Sequence, residues 1–413
     1  MIKVVHIQTG LPTSSNAAFR IHKGMLEHGI ESSMFVMDTQ RIENENLFKI
    51  KGPKKSLIVR TYNILSNLIL SKKKEGSYSF SYACFGFNIA NFKSITNSDV
   101  IYLHWINGGF LSNRSIKIIS ELGKPVVFFM HDMWTITGGC HHSLDCNNYT
   151  LNCEFCPIFI NNGKKSIASK QFLIKKKLFA RFDNLFFVAP SKWLTNCAKI
   201  SGLTKDKPIF HIPNIVDDRV FVPIDKTTAK RLLNIADDKV IISFGSVGGT
   251  KNHFKGWSFL KEAIDILYSK NLNFNIEILI FGSDFDKCVA DSIPFKTHFV
   301  GRLNDEISMV VVNNAADVFV SPSLAESFGL TFLENILCNT PAVGFDVGGV
   351  PDIIEHKING YLAKYKDSED LANGIIYCLE HKLQMTVNSE FNKDRILKKH
   401  IDLIEKISIK SFI

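Results

Sequence analysis

ADVFVSPSLAESFGLTFLENILCNTPAVGFDVGGVPDIIE, residues 316–355, decides the fold. ADVFVSPS is a short apolar run rich in β-branched and aromatic residues and reads as a buried strand. TFLENIL carries helical spacing, and PAVGFD reads as a second strand. Strand, helix and strand in this succession form the repeating unit of a parallel sheet covered by helices. Ligands in such sheets bind beyond the carboxyl ends of the strands, so the loop after Ser321 is where chemistry is sought. Glu326 stands in that loop, Gly329 at the expected helix start, and Glu334 about a turn and a half further in. A helix start offers free N–H groups and a dipole that favours an anion. A carboxylate beside it accepts hydrogen bonds from a ribose diol. Together they suit a nucleotide diphosphate.

The same rhythm runs outward in both directions. VIISFGSV (240–247), the helical WSFLKEAIDILYSKN (257–271), IEILIFGSD (276–284) and THFVGRL (297–303) precede the deciding stretch. IKVVHIQ, AAFRIHKGMLEHG, SSMFVMD, DVIYLHW, a helix around Ile116 to Leu122, and PVVFFMHD repeat it in the N-terminal half. HIPNIVDDRVFVPIDK (211–226) lacks periodicity and reads as a linker. The 413 residues therefore form two α/β domains, enough length for two cores. We expect residues 1–205 as the N-terminal domain, 206–390 as the C-terminal domain, and 391–413 as a helix returning to the first.

With 45% hydrophobic and 22% charged residues, the chain is neither disordered, collagenous nor a disulfide scaffold. MIKVVHIQTG reads as a first strand and not as a leader, and no run reaches the ~20 apolar residues of a spanning helix. These features predict a cytoplasmic location. The first 190 residues hold 23 Lys and Arg against 12 Asp and Glu, an excess that points to an anionic surface or substrate. Much of it flanks LIVRTYNILSNLIL (57–70), between Lys51 and Lys74. That segment reads equally as an interfacial helix on an anionic membrane or as a core helix with solvated ends.

The pair Glu326 and Glu334 inside PSLAESFGLTFLE, followed by the GGVP loop at 348–351, resembles the family 4 retaining glycosyltransferases of the GT-B fold. APSKWL (189–194), HIPN (211–214), KGW (255–257) and VGRLND (300–305) extend the likeness in family order. The resemblance implies two doubly wound Rossmann-like domains facing a central cleft, and a transfer of sugar from a nucleotide diphosphate donor without a catalytic cofactor. It sets Glu326 against the donor sugar, Glu334 on the ribose, and Phe328, Gly329, Leu330 and Thr331 at the diphosphate. It has Lys255 neutralise the leaving phosphate, where negative charge builds as the anomeric bond breaks. His131 corresponds to the family histidine near the reacting sugar; His104, on the preceding strand, is left open. Gly10, in the first loop, stands where relatives often carry paired glycines. The family arginine after the strand VIISFG is missing, with Ser246 or Gly248 in its place, and Lys251 is the substitute we expect.

Cys140, Cys146, Cys153 and Cys156 crowd into 17 residues and resemble the insertion of capsule, O-antigen and colanic-acid type members. Four thiolates suit a structural zinc, and the final C-x2-C has common ligand spacing; packed reduced thiols are the alternative. Asp284-Phe285-Asp286 reads as a surface turn. The acceptor implied is a polyprenyl-diphosphate-linked oligosaccharide at an anionic membrane face, with the protein peripheral there. A nucleotide-sugar epimerase and a non-catalytic scaffold are the rival readings. Nucleic acid is excluded as a partner, since no RNP-type or zinc-finger pattern accompanies the basic residues.

Overall fold

The computed structural model describes residues 2–11, 16–39, 46–50, 53–70, 73–74, 79–160, 163, 166–245 and 252–409. The chain divides into two compact units, one of residues 1–213 with 396–413 and one of residues 214–395.

Unit 1 carries a seven-stranded parallel sheet built from β1 (Lys3–Leu11), β2 (Glu31–Thr39), β3 (Leu47–Lys49), β4 (Val100–Leu103), β5 (Val126–Phe129), β6 (Leu185–Ala189) and β7 (Ile209–His211). Their spatial order is β3-β2-β1-β4-β5-β6-β7. The middle strands VIYL, VVFF and LFFVA are buried at every position, as a sheet covered on both faces requires. The unit boundary at Pro213 lies beyond the expected 205/206, because Ile209 to His211 still pair with β6. Gly10 is part of β1, paired with Asp38 of β2, and not of the loop that follows. Strand pairing reaches further along the chain than the apolar run alone indicates.

The last helix, Lys393–Ile409, belongs to unit 1 from Ile396 onward. Leu397 fills the space over Gly24, where a Cβ would come within 2.5 Å of Leu397 Cδ2. The helix Pro53–Leu70 is partly a core helix, with Tyr62 buried and Ile58 and Val59 packed on the main cluster. Its Leu57, Ile64 and Leu68 are nevertheless 67%, 53% and 60% exposed. Among the described residues, no helix is long and apolar enough to cross a membrane.

Unit 2 carries a six-stranded parallel sheet of β8 (Val240–Gly245), β9 (Ile276–Phe281), β10 (Thr297–Phe299), β11 (Val318–Ser321), β12 (Ala342–Phe345) and β13 (Gly360–Ala363), in the order β10-β9-β8-β11-β12-β13. In both units the strand order reverses beside the first strand of that unit, between β1 and β4 and between β8 and β11. Chain segments diverge at such a reversal and leave room beyond the carboxyl ends of the two strands.

Candidate functional site

In unit 2 the segments after β8 and β11 meet at this reversal. β8 leads, through residues 246–251 outside the described set, to a single 3-10 turn His253–Lys255 capped by the Asn252 side chain. Lys251, the expected arginine substitute, lies outside the described residues, as do Ser246 and Gly248. After β11 the chain continues through Pro322 to Glu326. The two segments are bonded by Leu324 N donating to Phe254 O at 2.7 Å. Across them Lys255 Nζ donates to Glu326 Oε2 at 2.9 Å, with Ser323 Oγ at 3.5 Å. Both partners keep part of their side chains open, 27% and 18%.

Gly329, at φ 102°, turns the chain into the helix Leu330–Leu337. The first N–H groups of a helix have no intrahelical partner. Glu334 sits in the second turn with only 4% of its surface exposed. The loop after β12 backs the site: Gly349 N donates to Glu326 O at 3.0 Å, and at Gly348 (φ 59°) a Cβ would fall 1.9 Å from that same carbonyl. Glycines at 348 and 349 are thus what lets the GGVP backbone lie directly on the Glu326 loop. Leu330 and Thr331 are half-buried at the helix start. Phe328 is 2% exposed and its ring packs on Phe391 within the core, so what it can offer a ligand is its backbone.

In unit 1 the strand ends carry histidines, as expected, but more are linked than the sequence indicates. His131 follows β5 and His104 follows β4. His104 Nδ1 is 2.9 Å from His131 Nε2, and His104 Nε2 is 2.9 Å from Nδ1 of His6, inside β1. Burial lowers the His131 pKa to about 4 against the raising influence of Asp132, and holds His6 and His104 well below the ordinary value. Asp132 is engaged elsewhere, accepting from Trp134 N at 2.7 Å and standing 2.6 Å from His141 Nδ1. His6 escaped the sequence reading; its only signal is a polar residue inside an apolar strand.

The four clustered cysteines line one cavity of about 20 Å³ together with Phe80, Tyr149 and Ile158. Gly138 N donates to Cys153 Sγ at 3.2 Å. Among the described residues, no three His, Cys, Asp or Glu side chains are grouped to hold a metal ion. Burial pushes the Cys140 thiol up to about 12. The start of the insertion is tied down by Lys175, whose Nζ donates to Trp134 O and Thr137 O and lies 3.4 Å from the Trp134 ring centroid. Asp286 caps the helix Lys287–Ser292, and Phe285 beside it is exposed, so the DFD triplet serves a helix start.

Residues 238–381, most of unit 2, match the family model described as Glycosyl transferases group 1. N-acetyl-alpha-D-glucosaminyl L-malate synthase of Bacillus anthracis is 22% identical over 47% of this chain and 53% of its own length. D-inositol 3-phosphate glycosyltransferase of Saccharomonospora viridis is 30% identical over 39% of each chain. The chain thus spans about half or less of the curated relatives it matches. Among solved structures, sucrose-phosphate synthase from Thermosynechococcus elongatus aligns over 98% of this chain and 99% of its own, at TM-score 0.65 and 16% identity. Anabaena HepE in complex with UDP and glucose aligns over 98% and 100%, at TM-score 0.62 and 15% identity. At these identities the likeness shows the fold, and the fold is GT-B.

Proposed function

We propose that the chain is a retaining glycosyltransferase of the family 4 type that takes a sugar from a nucleotide diphosphate donor bound on unit 2. The observation that carries this reading is the Lys255 to Glu326 ion pair across the β8/β11 reversal, beside the start of the helix that buries Glu334. A partly open carboxylate, then a cation with the helix N–H groups, then a buried carboxylate match the succession of sugar, diphosphate and ribose along a nucleotide sugar. Glu334 accepts from the ribose hydroxyls, the N–H groups at Leu330 and Thr331 meet the diphosphate, and Lys255 exchanges Glu326 for a phosphate oxygen. Glu326 is then freed toward the sugar. The bond from the anomeric carbon to the phosphate oxygen breaks, a bond to the acceptor oxygen forms on the same face, and the acceptor proton passes to the departing phosphate oxygen, which keeps the electron pair of the broken bond. The charge that grows on the leaving diphosphate is what a fixed ammonium stabilises best.

The acceptor we propose is a lipid-linked oligosaccharide of a cell-surface polysaccharide, such as an O-antigen or capsule intermediate, at an anionic membrane face. The exposed Leu57, Ile64 and Leu68 support it, because their spacing puts them on one side of a helix set among basic residues. The transfer reading is tested by release of the free nucleotide (UDP, GDP, ADP or CMP) from a panel of UDP-, GDP-, ADP- and CMP-linked sugars with a membrane extract as acceptor source. Lys255→Ala is expected to slow release about 100-fold or more with the fold intact. Undiminished release by this variant would remove Lys255 from the reaction.

A further inference from the structure

Three histidines lie in series in unit 1, His6 and His104 buried and His131 half-buried, and the family resemblance gives a role only to the outermost. His131 and His104 are 2.9 Å apart at Nε2 and Nδ1, and His104 and His6 are 2.9 Å apart at Nε2 and Nδ1. His6 is fully buried, and among the described residues its Nε2 has no hydrogen-bond partner. The series spans the ends of β5 and β4 and the interior of β1, the three adjacent strands nearest the reversal. Its members are hydrogen-bonded at fixed separations, whereas lone core histidines usually bond to backbone or hydroxyl, as His22 does with Ser32 Oγ at 2.7 Å.

We propose that His104 and His6 are positioning residues that fix His131 as a neutral imidazole with its proton on Nδ1. Its bearing on sugar transfer rests on the role that the family resemblance gives His131. A neutral imidazole has one donor and one acceptor, so the three rings can be filled in only two ways. In the first, Nδ1 of each ring carries the proton: His6 donates to His104, His104 donates to His131, and His6 Nε2 is left as a bare lone pair. In the second, Nε2 of each ring carries it, both bonds reverse, and His6 is left with a buried N–H and no acceptor. Orphaned buried N–H groups are the rarer of the two in folded proteins, so the first filling prevails. The hydrogen bond made by one ring nitrogen decides the state of the other, and the choice made at His6 is thereby passed through His104 to His131.

The surroundings keep all three rings uncharged. His6 faces the Tyr102 ring at 5.0 Å and the His22 ring at 6.0 Å. His104 faces Phe129 and Tyr102, and His400 of the last helix packs on Tyr102 and Phe129. Among the charged groups on these elements, Asp132 acts on His131, and it is held by His141 and Trp134 N. His131 is therefore built to offer an N–H from Nδ1 to a substrate oxygen, and not to take up a proton at neutral pH.

The test reads the tautomer directly, so it stands whether or not sugar transfer is found. In full-length protein labelled with 15N-histidine, long-range 1H–15N spectra at pH 7 are expected to show His131 neutral with its proton on Nδ1. His104→Phe breaks the series, and His131 is expected to move to the Nε2–H form. His104→Gln, an amide that still accepts from one side and donates to the other, is expected to restore the Nδ1–H signal. If transfer is detected, kcat falls about 10-fold to 100-fold in His104→Phe with the donor KM nearly unchanged, and recovers in His104→Gln. His6→Phe serves as a second variant if His104→Phe does not fold. A wild-type His131 protonated on Nε2 or charged at pH 7, or a tautomer indifferent to both substitutions, overturns the proposal. A wild-type protein without transfer but with the Nδ1–H signal would sink the transfer reading and leave the histidine series standing.

Discussion

Lys255 and Glu326 satisfy one another when no donor is present, which spares the site an isolated charge in a half-buried place. The sequence motif marks both residues, yet their contact is a property of the fold, since 71 positions separate them. The same holds at Gly348, whose role is legible only once its distance to Glu326 O is known. Gly348→Ala places a methyl against that carbonyl in a backbone conformation that disfavours a side chain. We expect it to lower stability by at least about 1 kcal/mol and to weaken nucleotide binding more than a neighbouring Val350→Ala, as measured by urea unfolding and by titration with the nucleotide. Equal binding by Gly348→Ala and wild type would show that the GGVP loop does not set the Glu326 carbonyl.

Elements were legible where the apolar period was clean and uncertain where it was not. The buried strands VIYL, VVFF and LFFVA announce themselves by composition, whereas β7 and the end of β1 contain too few apolar residues to show that they pair. The helix Pro53–Leu70 combines both readings drawn from its sequence, with Tyr62 inside and Leu57, Ile64 and Leu68 outside. If that outer face meets lipid, the full chain should sediment with vesicles containing anionic phospholipid and not with neutral ones, and higher salt should reduce the effect. The triple substitution Leu57→Ser, Ile64→Ser, Leu68→Ser is expected to reduce sedimentation at least several-fold. Unchanged sedimentation would separate this helix from membrane attachment.

At the scale of the molecule, neutral buried histidines make stability depend on pH. Burial lowers His22 and His131 to about 4 and His400 to about 3, and places His6 and His104 well below their ordinary value. Below the unfolded value of about 6.5 the unfolded chain binds protons that the folded chain refuses, so stability falls as pH drops from there toward about 4. Each such group contributes up to about 1.4 kcal/mol per pH unit in this window. Lys175, lowered to about 7 by burial, adds a change of the same sign above pH 7. Urea midpoints are therefore expected to rise steadily from pH 5 to pH 8. A midpoint that is level or falls over this range would mean that the histidines are charged in the folded state.

The central claim is that unit 2 holds a nucleoside diphosphate through Glu334, the helix start at Leu330 and Lys255. The most direct measurement is thermal unfolding of the full chain with saturating UDP, GDP, ADP or CMP, in wild type and in Glu334→Gln. A ligand at 100 times its dissociation constant adds about 2.7 kcal/mol to stability. The account predicts that one nucleoside diphosphate raises the unfolding temperature of the wild type, that CMP does not, and that Glu334→Gln, as stable as wild type without ligand, loses most of the rise. No rise with any of the four, or an equal rise in the variant, would contradict it.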